Sequence, residues 1–216
     1  MKKIGMIHTT PATIDSLNQL MKEIVGDVEV INFLDDSILK DMRDRHNVDF
    51  VRERWISYAK ILGQLGADAV LSACSTVGAF AEEADRILDV PVYRIDDAMC
   101  SAAVEMGEVV SVFATLASTL EPTVELIRRK AHKAGKQIKV NTVLVEGAYA
   151  ALMEGHKDVH DAKIKALVEQ YLPESDVAVL AQASMASAVD LVGEDAKKML
   201  TSPKMGIEKL RADLNL

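Results

Sequence analysis

Cysteine is scarce in this chain: Cys74 and Cys100 are the only two. No grouping of Cys, His and acidic residues has metal-ligand spacing, so neither a disulfide framework nor a zinc motif is indicated. With no export signal in view, both thiols are expected to be reduced. No run of Lys or Arg is long either. With a net charge of −8 and a pI near 5.2, this argues against the basic surface that a nucleic-acid partner needs. Long apolar runs are absent too, since IGMI ends at His8, Thr9, Thr10 and Pro11, too early for a signal peptide or a membrane span. The expectation is a cytoplasmic protein with a small-molecule partner, contacting neither nucleic acid nor membrane.

What is present is a long alternation. The 216 residues, 49% of them hydrophobic, can bury one large core or two smaller lobes. Apolar, β-branched runs (KIGMIH, VEVINF, DAVLSA, PVYRI, VVSVFA, IKVNTVLV, DVAVLA) are separated by stretches of helical period, the α/β pattern of a parallel sheet flanked by helices. Gly26, Gly66 and Gly135 follow helical stripes where a left-handed cap is wanted, and Pro122 fits a first helical turn.

The two halves superimpose as sequences. In ADAVLSACSTVG and SDVAVLAQASMA an acidic residue opens an apolar run that stops at small and hydroxyl residues, the point where a buried strand turns into a helix. Ile4 lies over Val110 and Cys74 over Gln182, at nearly equal offsets. A duplicated lobe follows, with residues 1–96 and 196–216 in the first and 97–195 in the second, because the final segment SPKMGIEKLRADLNL reads as a helix returning to the first. Parallel α/β sheets bind ligands at the carboxyl ends of their strands, so a cleft between two such lobes would gather the loops that begin at His8, Cys74, Thr115 and Gln182.

Cys74-Ser75-Thr76 after its apolar strand, and the polar strand end Thr115 to Thr119, resemble the aspartate/glutamate/hydantoin racemase superfamily along nearly the whole chain. That resemblance implies two pseudo-symmetric lobes, an enzyme without cofactor, a small carboxylate substrate and a homo-oligomer. It further implies that two cysteines flank the substrate carbon, of which the first maps onto Cys74. The second maps onto Gln182 or its neighbour Ala183, so it is missing. Two-base racemisation needs a proton-transfer group on each face of the carbon, and an amide supplies none. Acid/base or nucleophilic chemistry by Cys74 next to a carboxylate is the leading expectation. Decarboxylation or cis-trans isomerisation with a single cysteine, and carboxylate binding without catalysis, are the alternatives.

Each candidate residue has a plainer reading beside the functional one. A strand-to-helix turn would lower the Cys74 thiol pKa toward neutrality through helix amides, although free cysteine is as often a small buried hydrophobe. His8 is placed to supply the missing acid or base, or only to hydrogen-bond a ligand or fill a polar pocket. Thr9, Thr10, Ser75, Thr76, Thr115, Ser118 and Thr119 offer hydroxyls and amides suited to a carboxylate, and are equally ordinary caps. Gln182, Ala183 and Ser184 are expected ligand contacts. Cys100 is expected to be structural. Glu146 is a cleft acid or a solvated one, and Asp96-Asp97 a carboxylate pair whose side chains should diverge. His156 and His160 read as a loop and helix start rather than a metal site. KDMRDRHNVDFVRER reads as a charged helical hairpin rather than a flap, with Trp55 and Tyr58 in the core or an interface.

Overall fold

The short apolar runs carry no polar alternation because the central strands are buried on both faces. The structure, a computed structural model, describes residues 1–44 and 47–216. β1 (Lys2–His8) leads through a 3-10 turn (Pro11–Thr13) to α1 (Ile14–Ile24), β2 (Val28–Leu34), α2 (Ser37–Asp44) and α3 (Val48–Gln64). Next come β3 (Ala69–Ser72), a 3-10 turn (Ser75–Val77), α4 (Gly78–Ile87), β4 (Val92–Arg94) and α5 (Asp97–Met106). The second half runs β5 (Val109–Ala114), α6 (Ala117–Lys133), β6 (Lys139–Leu144), α7 (Ala148–Met153), α8 (Lys157–Tyr171) and β7 (Val177–Leu180). Two 3-10 segments (Ala183–Leu191 and Gly193–Lys198), β8 (Met199–Thr201) and α9 (Ser202–Asp213) complete it.

Among the described residues, each half holds a four-stranded, wholly parallel sheet. The strand orders are β2-β1-β3-β4 and β6-β5-β7-β8. The halves match bond for bond: Ala73 N–H donates to Ile7 C=O at 3.0 Å, and Ala181 N–H to Phe113 C=O at 2.9 Å. The acidic residue that opens each apolar run has the same task in both. Asp68 accepts from the Lys3 amide at 2.8 Å, and Asp176 from the amides of Glu108 and Val109 at 2.8 and 2.9 Å. Each carboxylate thus caps the start of the neighbouring strand, and those hydrogen bonds hold both below the usual carboxylate range.

The chain divides into two compact units, Met1–Asp97 with Pro203–Leu216, and Ala98–Ser202. The boundary expected at residue 196 therefore falls at 203. The cause is β8, which no periodicity in the sequence announces: Met199–Thr201 pairs with Ala178–Leu180 and keeps residues 196–202 with the second unit. The segment after β7 is 3-10 rather than α-helical. α6 begins at Ala117, so Pro122 lies inside the helix instead of in its first turn and cannot donate to the Ser118 carbonyl. Gly26, Gly66 and Gly135 do take positive φ at their helix ends.

In the first unit, Ile7 and Val70 pack with Trp55, Ala59 and Leu62 of α3 on one side of the sheet. Ile4, Met6, Ala69 and Leu71 pack with α1 and with Ile207 and Leu210 of α9 on the other. Gly5 interrupts the apolar run because α3 crosses there. A Cβ at that position would sit 2.7 Å from Leu62 Cδ1. In the second unit the matching residue is Ser111, whose hydroxyl is satisfied by Ser175 at 2.7 Å. Phe113, Ala178 and Leu180 there pack against Ile164 and Val168 of α8.

The charged stretch between α2 and α3 is a helical hairpin in its described part. Arg54 of α3 reaches Asp41 at 2.8 Å and Ser37 at 3.1 Å on α2, and Asp35 at 3.0 Å. The expectation for Arg45 and His46 lies outside the described residues. Trp55 is fully buried, and Tyr58 donates to Asp35 at 2.9 Å. Cys100 is buried within α5. No helix among the described residues is long and apolar enough to cross a membrane.

Candidate active site

Two strand ends, one in each unit, carry the candidate residues, and each is extended backbone running into a 3-10 turn. Cys74 has φ −138° and ψ 121°, and Gln182 has φ −124° and ψ 139°. The matched strand pairing makes them structural counterparts, with Thr9 the counterpart of Thr115 at the ends of β1 and β5.

In the first unit, the Cys74 thiol is the convergence point of four donors. The Thr9 hydroxyl, the amide and hydroxyl of Thr76 and the amide of Val77 all point to it. Thr9, Ser75 and Thr76 are themselves buried. The donors favour the thiolate, yet burial is the larger effect and pushes the thiol up from its ordinary value. The expected lowering toward neutrality is therefore corrected. The turn amides do surround the sulfur, and desolvation outweighs them.

His8 is fully buried, and both its ring nitrogens are taken. Nε2 lies 2.9 Å from Asn32 Oδ1 and Nδ1 3.2 Å from Thr13 Oγ1. Asn32 donates through its own amide nitrogen to Asn18 at 3.1 Å, which turns its oxygen toward the ring. That assigns the proton to Nε2. Burial lowers the His8 pKa, and the Asn32 hydrogen bond only partly opposes it. With both nitrogens engaged, the ring ties the end of β1 to β2 and to the turn that follows β1. Thr10 caps the 3-10 turn by accepting from Ala12 N–H at 3.4 Å.

In the second unit, Gln182 Oε1 accepts from the Thr115 amide at 2.5 Å and from the Thr115 hydroxyl at 2.9 Å. Thr115 is buried, whereas Gln182, Ala183 and Ser184 are half-buried. Ser118 is half-buried in the first turn of α6, and Thr119 is buried behind it, accepting through its carbonyl from the Thr123 hydroxyl at 3.0 Å.

Beneath Cys74 lies a buttress that the sequence pattern did not indicate. Arg94, at the end of β4, is buried and grips Asp96 with two hydrogen bonds of 2.7 and 2.9 Å, while its third nitrogen bonds Glu82 of α4 at 2.5 Å. These carboxylates raise the Arg94 pKa despite burial. The guanidinium lies across the N-terminus of α4, where a Cβ on Gly78 would come within 2.4 Å of Arg94 Cζ. The one signal in the sequence is an arginine two residues before Asp96 at a strand end. Asp96 is therefore an ion-pair partner, and Asp97 diverges to open α5.

The remaining candidates separate as well. His156 precedes the first residue of α8 and is exposed, while His160 is buried with Nδ1 2.7 Å from Asp161. Glu146 is exposed beyond β6. Among the described residues, no cluster of three or more His, Cys, Asp or Glu is arranged to hold a metal ion.

Paired parallel sheets with a donor-ringed thiol at one strand end define a class, and similarity to known proteins names it. The Asp/Glu/Hydantoin racemase family model matches residues 4–209, so the chain belongs to that family. Its fold resembles that of the glutamate racemase from Francisella tularensis, solved with D-glutamate (TM-score 0.75, 16% identity, covering 99% of this chain and 81% of that one). It also resembles the aspartate racemase from Picrophilus torridus (0.76, 12%, 100% and 95%) and the allantoin racemase from Klebsiella pneumoniae (0.71, 13%, 100% and 89%). No curated protein sequence matches the chain.

Proposed function

We propose that this chain is a cofactor-independent enzyme of its family that moves a proton at the carbon next to a carboxylate of a small substrate, with Cys74 as the acid/base group. The observation that carries the reading is the ring of four donors around the Cys74 thiol. In the forward step the substrate C–H bond breaks, its proton passes to the thiolate, and its electron pair delocalises onto the carboxylate. Negative charge then grows on the carboxylate oxygens, and hydrogen-bond donors at the strand end stabilise it. Thr9, Thr10, Ser75 and Thr76 are the residues beside Cys74 assigned to that carboxylate. The return step delivers a proton from the thiol to carbon.

The raised thiol pKa keeps most of the sulfur protonated at neutral pH, so turnover that starts from the thiolate should climb as pH rises through the thiol's ionisation. The test is deuterium uptake from D2O at the α-carbon, followed by NMR, with the enantiomers of glutamate and aspartate and with allantoin. Cys74→Ala should slow exchange by roughly a hundred- to ten-thousand-fold, the usual worth of a general acid/base, while ligand binding survives. Exchange that continues unchanged in Cys74→Ala would sink the proposal.

A further inference from the structure

Arg94 is a buried cation that the proton-transfer reading leaves unused. β4 pairs with β3 so that Arg94 is the register partner of Ser72, and Ile95 N–H donates to the Ser72 carbonyl at 3.1 Å. Ser72 in turn donates through its hydroxyl to the Cys74 carbonyl at 3.4 Å. From β4 the guanidinium spans the start of α4, with Gly78 packed against it and Glu82, one helical turn further on, bonded to one of its nitrogens. Gly78 also closes the 3-10 turn, because its amide donates to the Ser75 carbonyl. That turn carries the Thr76 amide and hydroxyl and the Val77 amide, three of the four donors on the Cys74 thiol.

A cation at the positive end of a helix is unfavourable for the helix alone, and a buried one needs carboxylates around it. Asp96 and Glu82 supply them. Well-packed apolar side chains would serve stability as well as such a cluster does. What they would not supply is direction: the planar fork is fixed by its three hydrogen bonds, and Gly78 lies against it. We infer that Arg94 is a positioning residue which, held by Asp96 and Glu82, fixes Gly78 and so keeps the Ser75–Val77 turn's donors aimed at the Cys74 sulfur. Its effect on turnover rests on Cys74 being the acid/base group of the proposed function; its effect on the thiol does not. A turn released from Arg94 leaves burial less opposed, so less of the sulfur is thiolate at a given pH.

The thiol is read directly in the full-length protein by the rate of Cys74 alkylation with iodoacetamide between about pH 7 and 9, since only the thiolate reacts. Mass spectrometry of the Cys74 peptide separates it from the buried Cys100. Arg94→Lys keeps the charge and loses the fork, and should slow alkylation roughly threefold to tenfold, the worth of one weakened hydrogen bond. The rising limb of the pH profile for α-proton exchange should move to higher pH by the same factor. Glu82→Gln, which loosens one end of the fork, should act in the same direction and less, and it decides the matter if Arg94→Lys does not fold. Ile164→Val, in the core of the second unit, should lower stability and leave Cys74 alkylation as it is. Alkylation at the wild-type rate or faster in folded Arg94→Lys, or slowing in Ile164→Val equal to that in Arg94→Lys, overturns the inference. Slowed alkylation in Arg94→Lys with no α-proton exchange by the unaltered protein instead defeats the proton-transfer reading alone.

Discussion

At the end of β3 a threonine hydroxyl donates to a sulfur; at the end of β7 the matching threonine donates to an amide oxygen. The backbones entering the two turns are nearly identical, and so is the strand register behind them. What differs is the atom that the threonine's donor meets. Sulfur there can exchange a proton. The amide oxygen can only accept, and it sends the amide's donors elsewhere. The duplicated scaffold therefore supplies two similarly built strand ends that differ in one side chain, a thiol in the first and an amide in the second.

The supports beneath the two turns differ as well. Arg94 with Asp96 and Glu82 underlies the first, while the matching strand position in the second unit is Thr201. Gly78 is compelled by the arginine; its counterpart in the second unit is Ala186.

The largest expected effect on stability comes from removing that support. Arg94→Met strands the buried Asp96 carboxylate, a loss of about 3–5 kcal/mol in chemical denaturation, since breaking one side of a buried ion pair leaves an uncompensated charge. Thr201→Val, its counterpart, should change stability far less. If the two variants unfold at the same denaturant concentration, the buttress has no special role.

An intermediate effect separates Gly78 from Ala186. Gly78→Ala drives a methyl into the Arg94 guanidinium and should cost about 1–3 kcal/mol, as overpacking does, whereas Ala186→Gly should cost about 1 kcal/mol or less from backbone entropy alone. Differential scanning calorimetry measures both, and a reversed order would refute the steric account.

The smallest effect lies in pH dependence and concerns His8, whose counterpart is Ala114. The folded-state pKa of His8 is lowered from 6.5, so the unfolded chain binds a proton more readily. Its contribution to stability is complete above pH 6.5 and is lost as pH falls from there through the folded pKa. His8→Ala should lower stability at about pH 7.5 and flatten the decline between about pH 7 and 5. An equally steep decline in the variant would show that other groups cause it.

Much of this was legible in the chain. The alternation of apolar and helical segments carried the parallel sheets, because a strand covered on both faces is mostly apolar and admits a polar residue such as Ser111 only where a partner satisfies it. Asp68 and Asp176 marked the starts of matching runs because each must cap a neighbouring strand's amides. Cys74 and Gln182 emerged as counterparts from offset alone. Other features were not legible, each for a physical reason. β8 is three residues long, too short for a periodicity, and exists only because β7 offers its edge. The Arg94 buttress joins residues that are close in space through the α4 crossing. His8 reads as a free base until Asn32 and Thr13 arrive from two other elements to occupy both nitrogens.

The sequence by itself determined the duplication, the α/β order and the unequal residues at equivalent strand ends, since these depend on local pattern and spacing. Tertiary structure alone decided the protonation of Cys74 and the orientation of Gln182. A thiol's pKa is a balance of desolvation against donors from distant segments. An amide's direction is set by the partner that reaches its oxygen first, here the amide and hydroxyl of Thr115, 67 residues away in the chain.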